Sequence, residues 1–388
     1  MYTPKFQITS KILSNVGTID AAREVITHAP LVPAWERRFQ EDARVRIVHH
    51  GTHLEGNELN LEEVEKIMEP VPGGSDLKGS AQPERSEGRS DPMVSSLPAK
   101  DRDIQEVINY RTVMEYIDTL TPNTQNIPGM KDAHIPGMLF PLTENTLKEI
   151  HRQTVERILP ESEAGRYRSA KVVIRNTATG EITFRPPPPI EVPYHMSEFF
   201  AWLTSDEGRS VHPLLRAGIV HYELVRIHPF TDGNGRATRA FALLLLFLEG
   251  YEVKRFFSLE EYYDAHPDEY YAALQSVTTS GGNLTQWLEY FTLGIAIELN
   301  RVKELVQKLS LDLHLKVTMG GKQIALSDRQ IRLVEYLEKH AELGMKDARD
   351  LMPQVSDDTV LRDLRDLVDK GLIHRKGNTK GAKYYLKS

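Results

Sequence analysis

The chain has 388 residues, a formal net charge of −7, 40% hydrophobic residues and 27% charged residues, a composition typical of a globular protein with two or three domains. Because cysteine is absent, disulfides, thiolate catalysis and cysteine-ligated metals are excluded. The negative charge gives no global reason to bind nucleic acid, although a local basic patch could still do so. The N-terminal stretch MYTPKFQITSKILSNVG has no unbroken apolar segment. We therefore expect no signal peptide, no membrane span and a cytoplasmic location.

The first half of the chain alternates between helical patterns and breaks. Residues 1–70 have the periodicity of amphipathic helices, interrupted by the two prolines of HAPLVPAW. Residues 69–100 are rich in Gly, Pro, Ser and charge, which predicts an exposed loop because such a segment buries too little apolar surface to offset its ordering entropy. Helical periodicity returns in DIQEVINYRTVMEYIDTL and LTENTLKEIHRQTVERIL. YRSAKVVIRN and EITFR then predict a β-hairpin, which the prolines of PPPPIEVP end.

Helices are predicted again from about residue 195 to residue 308, and a separate unit follows. In that unit, Ser327 and Gln330 form a capping box, and three short helices precede a final strand pair. This order of elements predicts a winged helix-turn-helix. The fold class is therefore mainly α, with a helical core, a β-hairpin and a C-terminal winged helix. The predicted domains are an N-terminal helical region at 1–100, a central helical domain with the β-hairpin at 101–308 and a winged-helix domain at 320–388.

The stretch HPFTDGNGRATR, residues 228–239, lies between two core-facing helical patterns. It is predicted to be a tight loop that leads into a helix start, where unpaired N–H groups attract anions. Asn234 and the two glycines allow the backbone to approach an anion closely. Arg236 and Arg239 are three residues apart, so both guanidinium groups can lie on one face and hold a polyphosphate.

The remaining residues of this stretch supply a base and a metal ligand. Asp232 is suited to Mg²⁺, which commonly takes one carboxylate together with phosphate oxygens. His228 can accept a proton from an attacking hydroxyl, and Phe230 is expected to anchor the loop in the core. Taken singly, each residue has a structural explanation, such as a histidine at a helix end or a surface arginine pair. Together they predict phosphoryl or nucleotidyl transfer.

The motif resembles HPFxDGNGRxxR, the signature of Fic-domain proteins, at every defining position. The resemblance extends over roughly residues 105–295, including the hairpin before the motif and DEYYAAL after it. It implies an all-helical core with a β-hairpin flap. The implied activity is transfer of AMP from Mg-ATP to a Ser, Thr or Tyr hydroxyl of a target protein or of the enzyme itself.

The resemblance also assigns roles to individual residues. His228 becomes the general base, Asp232 the Mg²⁺ ligand, and Arg236 and Arg239 the holders of the β- and γ-phosphates. The other implied residues of the nucleotide and target site are Gly233, Asn234 and Gly235 in the anion nest, Val172, Val173, Ile174 and Arg175 in the flap, and Tyr270 and Tyr271 near the nucleoside. The flap is implied to align the target by strand addition. Core packing on an amphipathic helix is the alternative for the two tyrosines.

A second element lies upstream in HHGTHLEGNEL. Glu55–Gly56–Asn57 is similar to the end of [ST]xxxE[GN], the autoinhibitory pattern of Fic proteins. This implies that Glu55 pairs with Arg239 and displaces the γ-phosphate. Gly51 departs from the pattern, which has Ser or Thr there, and a capping box of Thr52 with Glu55 is the alternative. In some relatives with this glutamate the same site also removes AMP, and the sequence does not separate the two directions.

The C-terminal unit leaves its partner open. DDTVLRDLRDLVDKGLI has the spacing of a recognition helix, and the wing carries four basic residues that suit phosphate contacts, namely Arg375, Lys376, Lys380 and Lys383. Five aspartates on that helix would repel a phosphate backbone, so DNA and protein remain alternative partners. Two functions compete for the whole chain, an autoinhibited adenylyltransferase and a nucleotide-sensing transcriptional regulator. His228 and Asp232 favour the enzyme, because a sensor needs no base. Homodimerisation is left open.

Overall fold

The computed structural model describes residues 2–29, 33–69, 99–121, 142–175, 182–318, 327–340, 342–377 and 382–387. The chain forms two compact units: residues 1–27 with 34–302, and residues 28–33 with 303–388. Most described residues are helical, as the sequence predicted. None of the described helices is long and apolar enough to cross a membrane. The loop predicted at 69–100 lies almost wholly outside the described residues.

The elements of the chain up to the last long helix are, in order, α1 (Ser10–His28), α2 (Pro33–His53), α3 (Leu61–Met68), α4 (Ala99–Leu120), α5 (Glu144–Thr154), β1 (Ile174–Arg175), β2 (Ile182–Phe184), α6 (Val192–Thr204), α7 (Asp206–Ser210), α8 (Pro213–Ile227), α9 (Asn234–Leu248), α10 (Leu259–Ala265), α11 (Pro267–Thr279) and α12 (Thr285–Thr318). The following elements are α13 (Asp328–Lys339), α14 (Met345–Leu351), α15 (Asp357–Asp369), β3 (Ile373–Lys376) and β4 (Lys383–Leu386).

Helices α8 and α9 form the centre of the first unit. The apolar stripe predicted on α9 is buried at Phe241, Leu244 and Leu245. On α8, a Cβ added at Gly218 would lie 2.7 Å from Leu288 Cδ2, so glycine lets α12 pack closely against the α8 backbone. The loop between α8 and α9 therefore starts and ends on buried helices, which fixes its position.

Helix α5 is shorter than its sequence pattern predicted, because it ends at Thr154. The physical cause is a side chain on α4. The amide Nδ2 of Asn109 donates to the carbonyls of Thr154 at 3.1 Å and Glu156 at 2.7 Å. These hydrogen bonds take the place of the helical ones that a continued helix would supply.

The predicted hairpin is present as a short antiparallel pair, in which Ile174 pairs with Phe184 and Arg175 with Ile182. Residues 176–181, which join the two strands, lie outside the described residues. The prolines after β2 end the strand, as expected from their missing N–H groups, and a 3-10 turn at Pro189–Glu191 leads from them into α6.

The second unit has the predicted winged-helix order of three helices and a strand pair. Ser327 and Gln330 form the capping box at the start of α13, and the Ser356 side chain caps α15. β3 and β4 pair antiparallel from Ile373 with Leu386 to Lys376 with Lys383. Apolar residues of all three helices and both strands form one core in this unit.

Candidate active site

The loop between α8 and α9 is closed by hydrogen bonds of its own. His228 has left-handed backbone angles (φ 49°, ψ 62°), and Gly233 has φ 70°. The side chain of Asn234 accepts from Phe230 N and donates to Phe230 O, both at 2.9 Å. The Phe230 ring is only 1% exposed, so it anchors the loop in the core as the sequence predicted. The asparagine of the motif thus shapes the loop.

His151 on α5 packs against this loop, a role that no sequence motif predicted. Its ring stacks on Phe230 with centroids 3.7 Å apart and planes 6° from parallel. Nε2 lies 2.9 Å from Asp232 O, and Nδ1 lies 2.9 Å from Gly165 N. A carbonyl only accepts and an N–H only donates, so the ring is neutral with its proton on Nε2. Burial lowers the pKa of His151 to about 4, which agrees with that state.

His228 is held as a neutral base. Its Nδ1 lies 3.2 Å from the carbonyl of Val225, which can only accept, so Nδ1 carries the proton and Nε2 is free to take one. Burial lowers the pKa of His228 to about 4, and the positive charge of Arg168 acts in the same direction. The imidazole therefore stays unprotonated at neutral pH.

The two arginines of the motif are buried, Arg236 with 1% and Arg239 with 4% of its surface exposed. Arg236 Nη2 lies 3.3 Å from Glu106 Oε1. Within the described residues, Nε and Nη1 of Arg236 and Nε of Arg239 have no hydrogen-bond partner. The first helical bond of α9 is from Ala237 N to Gly233 O, at 3.0 Å, so free N–H groups precede it. Buried donors without acceptors are costly, and an anion would satisfy them.

Glu55 lies against this group of donors. Its Oε1 is 2.9 Å from Arg239 Nη2, which is the contact that the resemblance to the inhibitory pattern implied. A Cβ added at Gly235 would lie 1.8 Å from the same oxygen, so the carboxylate covers the start of α9. Burial acts to lower the pKa of Arg239, but Glu55 and the tyrosines around it raise it above its usual value. Arg239 is therefore a permanent cation.

The turn that carries Glu55 also presents a carbonyl to Arg239. The N–H of Glu55 donates to Thr52 O at 3.0 Å instead of continuing the helical pattern to Gly51. Arg239 Nη2 donates to Gly51 O at 2.7 Å. Thr52 lies inside the last turn of α2, and its hydroxyl donates to Val48 O at 2.9 Å. The alternative in which Thr52 caps a helix together with Glu55 is therefore wrong.

Two histidines fix the end of α2 on α10. His50 Nδ1 and His53 Nδ1 each lie 2.7 Å from one carboxylate oxygen of Asp264. Burial alone would raise the pKa of Asp264, but its hydrogen bonds with the two histidines hold it below its usual value. This charged anchor sets the position of the turn that follows α2, and with it the position of Glu55.

Asp232 is part of a charged chain that leads to α4. Its Oδ2 lies 2.7 Å from Arg102 Nη2, Arg102 Nε lies 3.2 Å from Glu106 Oε1, and Glu106 contacts Arg236. Burial alone would raise the pKa of Asp232, but Arg236, the Gly233 N–H and Arg102 hold it below its usual value. No motif in the sequence pointed to Arg102 or Glu106.

The surroundings of Asp232 fit Mg²⁺ bound together with a nucleotide. The described residues contain no cluster of three or more His, Asp or Glu side chains that could hold a metal alone. Mg²⁺ often takes one or two carboxylates and completes its coordination with phosphate oxygens and water. One ionised carboxylate beside buried, unpaired arginine donors meets that requirement.

A cavity of about 230 Å³ lies between the flap and helices α8 and α11. It is lined by Phe184, Tyr222, Val225, Arg226, Asp268, Tyr271, Ala272, Leu274, Gln275 and Thr278. The two tyrosines that the sequence paired therefore have different positions. Tyr271 lines the cavity, whereas Tyr270 is buried and its hydroxyl lies 2.9 Å from His221 Nε2, as a core aromatic would.

The fold is similar to that of Fic-domain proteins. Residues 141–246 match the model of the Fic/DOC family, and residues 329–382 match the model of the DeoR-like helix-turn-helix domain. The chain thus contains a Fic domain followed by a winged-helix domain.

Two similar curated proteins are both named protein adenylyltransferase Fic. The one from Culex quinquefasciatus is 27% identical over 233 residues, which cover 60% of this chain and 38% of that protein. The one from Nematostella vectensis is 28% identical over 252 residues, which cover 63% of this chain and 48% of that protein. The chain therefore spans less than half of the length of these relatives.

Solved structures show the same fold. A Fic family protein from Desulfovibrio desulfuricans G20 has a TM-score of 0.58 and 22% identity, covering 100% of this chain and 99% of that chain. Fic-1 from C. elegans has a TM-score of 0.52 and 22% identity, covering 76% of this chain and 73% of that chain.

Proposed function

We propose that this protein transfers AMP from Mg-ATP to a hydroxyl side chain of a target protein. The observation that carries the proposal is the set of buried, unpartnered N–H donors of Arg236 and Arg239 beside the neutral imidazole of His228. A polyphosphate satisfies these donors, and the free Nε2 of His228 accepts a proton from a nucleophile. A protein that only senses nucleotide would need the arginines but no base.

The phosphates would lie on the N–H groups at residues 234–236, with Arg236 and Arg239 on the β- and γ-phosphates. Asp232 would hold Mg²⁺, which neutralises phosphate charge and orients the leaving group. The cavity beside Tyr271 is large enough to take part of a nucleoside, and its aromatic and polar lining suits a base.

In the reaction, the target hydroxyl oxygen forms a bond to the α-phosphorus and its proton passes to Nε2 of His228. The bond between the α-phosphorus and the oxygen that bridges to the β-phosphate breaks, and pyrophosphate leaves. Arg236 and Arg239 stabilise the charge on the leaving group. The flap edge at Val172, Val173 and the β1 strand would hold an extended target segment by backbone pairing.

We further propose that Glu55 restrains the transfer. Its carboxylate occupies the start of α9 and pairs with Arg239, so the γ-phosphate cannot take its place there while Glu55 remains. We propose that the same carboxylate would also orient a water molecule for attack on the phosphorus of an AMP-modified hydroxyl, which would release AMP and restore the hydroxyl.

The test is incubation with α-labelled ATP and Mg²⁺, measuring label on the protein itself. We expect Glu55→Gly to increase labelling by about tenfold or more, and the double variant Glu55→Gly with His228→Ala to lose it while still binding ATP. Glu58→Gly, an exposed glutamate three residues on, is the matched control. Release of AMP from the labelled protein measures the reverse direction. Equal labelling of wild type and Glu55→Gly would remove the inhibitory role.

We propose DNA as the partner of the C-terminal unit, because most of the aspartates on α15 are neutralised by basic side chains of the same unit. Asp357 lies 2.8 Å from Arg349 Nε, Asp363 2.6 Å from Arg329 Nε, and Asp366 2.6 Å from Lys370 Nζ. Three of the five aspartates on α15, which would otherwise repel a DNA backbone, thus form ion pairs with arginine or lysine side chains of the same unit.

The basic residues that remain lie on the outside of the winged helix. Arg362 and Arg365 of α15 are exposed and form no ion pair among the residues described for this unit. On β3, Arg375 and Lys376 are exposed as well. On β4, Lys383 lies 2.9 Å from Glu342 and contributes less, while Lys380 lies outside the described residues. This distribution supports contacts to a phosphate backbone.

A further inference from the structure

Arg168, which precedes the flap, is buried and bonded to backbone carbonyls. It is 4% exposed. Its guanidinium donates to His228 O at 2.7 Å, Ala170 O at 3.0 Å, Pro187 O at 2.6 Å and Ile227 O at 3.4 Å, and its backbone N–H donates to Pro229 O at 2.9 Å. These acceptors belong to three segments: the chain entering the flap, the chain leaving it and the loop that carries His228.

No carboxylate pairs with Arg168 in the part of the chain that the structure describes, and burial lowers its pKa. A buried cation without a counter-ion is costly, and a well-packed apolar side chain could fill the same space without that cost. We therefore attribute the presence of a guanidinium here to the three chain segments whose carbonyls it connects. Only arginine offers several donors in one rigid plane.

One of the held groups is strained. His228 has φ 49°, a conformation that a residue with a side chain adopts only when its surroundings impose it. Arg168 donates to the carbonyl of His228 itself and to those of its two chain neighbours. It thereby fixes the backbone that aims the imidazole, and it does so from the base of the flap.

We propose that Arg168 is a positioning residue that fixes the distance between the flap edge and the His228 imidazole. The hydroxyl of a target segment that is paired with the flap is then already held at the correct distance from Nε2. The inference rests on the proposed AMP transfer. The proposal predicts different effects on the two possible acceptors of AMP. A protein hydroxyl held by the flap needs the correct distance between the flap and His228, whereas water that attacks the same phosphorus is not held by the flap and does not need it.

The experiment compares these acceptors in a Glu55→Gly background. α-Labelled ATP is supplied, and label on the protein and free AMP formed by hydrolysis are counted together. We expect Arg168→Lys, which keeps the charge but loses the fork, to lower the ratio of protein label to free AMP by about tenfold or more. The Kd for ATP should stay within about twofold, and Arg166→Gln, an exposed arginine two residues earlier, should change neither quantity.

Two further measurements guard against a variant that merely folds badly. Hydrogen–deuterium exchange should increase in Arg168→Lys at the flap base and at residues 227–230 together, with α12 unchanged, and this readout does not depend on activity. Pro187→Gly keeps the guanidinium and its acceptor but loosens the flap anchor, and it should lower the same ratio. Equal losses of label and of free AMP, or unchanged exchange in both segments, would overturn the proposal. A Glu55→Gly parent that forms neither product would instead overturn the proposed AMP transfer, and the exchange result would still decide the role of Arg168.

Discussion

The ring of Tyr110 covers the backbone of Gly51, so closely that a Cβ added at Gly51 would lie 2.5 Å from Cε1 of Tyr110. Tyr110 is fully buried, and its hydroxyl lies 3.3 Å from Glu260 Oε1. This contact gives a physical reason for glycine at a position where the inhibitory pattern has Ser or Thr. A side chain there would push the end of α2, and the Glu55 turn with it, away from Arg239.

We predict that Gly51→Ser raises auto-labelling in the absence of any activator by about threefold, roughly the square root of the tenfold increase expected for Glu55→Gly. The same variant should have a lower Tm. The cause is displacement of both the Gly51 carbonyl and the Glu55 carboxylate from Arg239. The measurement is labelling with α-labelled ATP beside a thermal melt. Gly17→Ser is the control, since a Cβ at Gly17 of α1 meets nothing within 4 Å. Unchanged labelling in Gly51→Ser would show that the α2 end tolerates the shift.

The pH dependence of transfer should follow the low pKa of His228. The base is active when neutral, which holds above its folded pKa of about 4, whereas an ordinary histidine would already be protonated below about 6.5. In the Glu55→Gly background we therefore expect kcat to change little between pH 7 and pH 5.5 and to fall toward pH 4. An acid limb near pH 6.5 would contradict this.

Stability should fall over the same acid range. The folded pKa values of His151 and His228 are about 4 and that of His221 is about 3, against 6.5 for an ordinary histidine. The unfolded state therefore binds more protons below pH 6.5, so the stability that these residues contribute is complete above that pH and is lost as pH falls toward 4. Thermal melts of the wild type across pH 4 to 8 check the direction, and a Tm that rises on acidification would contradict it.

Asp232→Ala should weaken ATP binding by at least about tenfold when Mg²⁺ is present and change it little in excess chelator. The reason is that Asp232 is the ionised carboxylate beside the N–H groups that would bind the phosphates. Calorimetry in the two buffers measures the difference. Asp101→Ala, on the exposed first turn of α4, serves as the control. A loss of equal size in both buffers would assign Asp232 to loop structure alone.

A proline in the flap should separate target modification from nucleotide binding. Successive N–H groups of a strand point to opposite edges, so one of the two variants Val173→Pro and Ile174→Pro removes a backbone N–H from the edge that pairs with the target. In that variant labelling should fall by about tenfold while the Kd for ATP holds. Val173→Thr preserves the backbone donor and should behave as the parent, Glu55→Gly. Labelling that survives the proline in both variants would place the target elsewhere, and loss of ATP binding would make the hairpin part of the nucleotide pocket.

The winged helix can be tested with duplex DNA of random sequence by fluorescence anisotropy. The double variant Arg362→Ala with Arg365→Ala should weaken binding of the full chain by about tenfold and reduce the salt slope by about 2. Arg332→Ala, an exposed arginine on α13, is the control. Equal affinity of the double variant and the wild type, or no binding by either, would favour a protein partner.

The sequence allowed the loop and its flanking helices to be predicted, because these depend on local motifs, whereas the pairing of Glu55 with Arg239 was implied only by the resemblance to Fic proteins. It did not indicate Arg102, which lies 130 residues from Asp232 along the chain, nor Arg168, whose partners are all backbone carbonyls. Because every residue has a backbone carbonyl, the types of the partner residues do not reveal that their carbonyls accept hydrogen bonds from Arg168. His151 gave only one sign, its place on the buried face of α5, and that sign is shared by many ordinary core histidines.

Glu55 and Arg239 belong to one chain, so the carboxylate behaves as a tethered ligand. Its local concentration is set by the turn that follows α2 and is the same in a dilute and in a concentrated solution. If Glu55 restrains transfer as proposed, dilution would not release the restraint, and more copies of the protein would add restrained molecules in unchanged proportion. Activation would then require an event that moves the end of α2 or competes with the carboxylate at the start of α9.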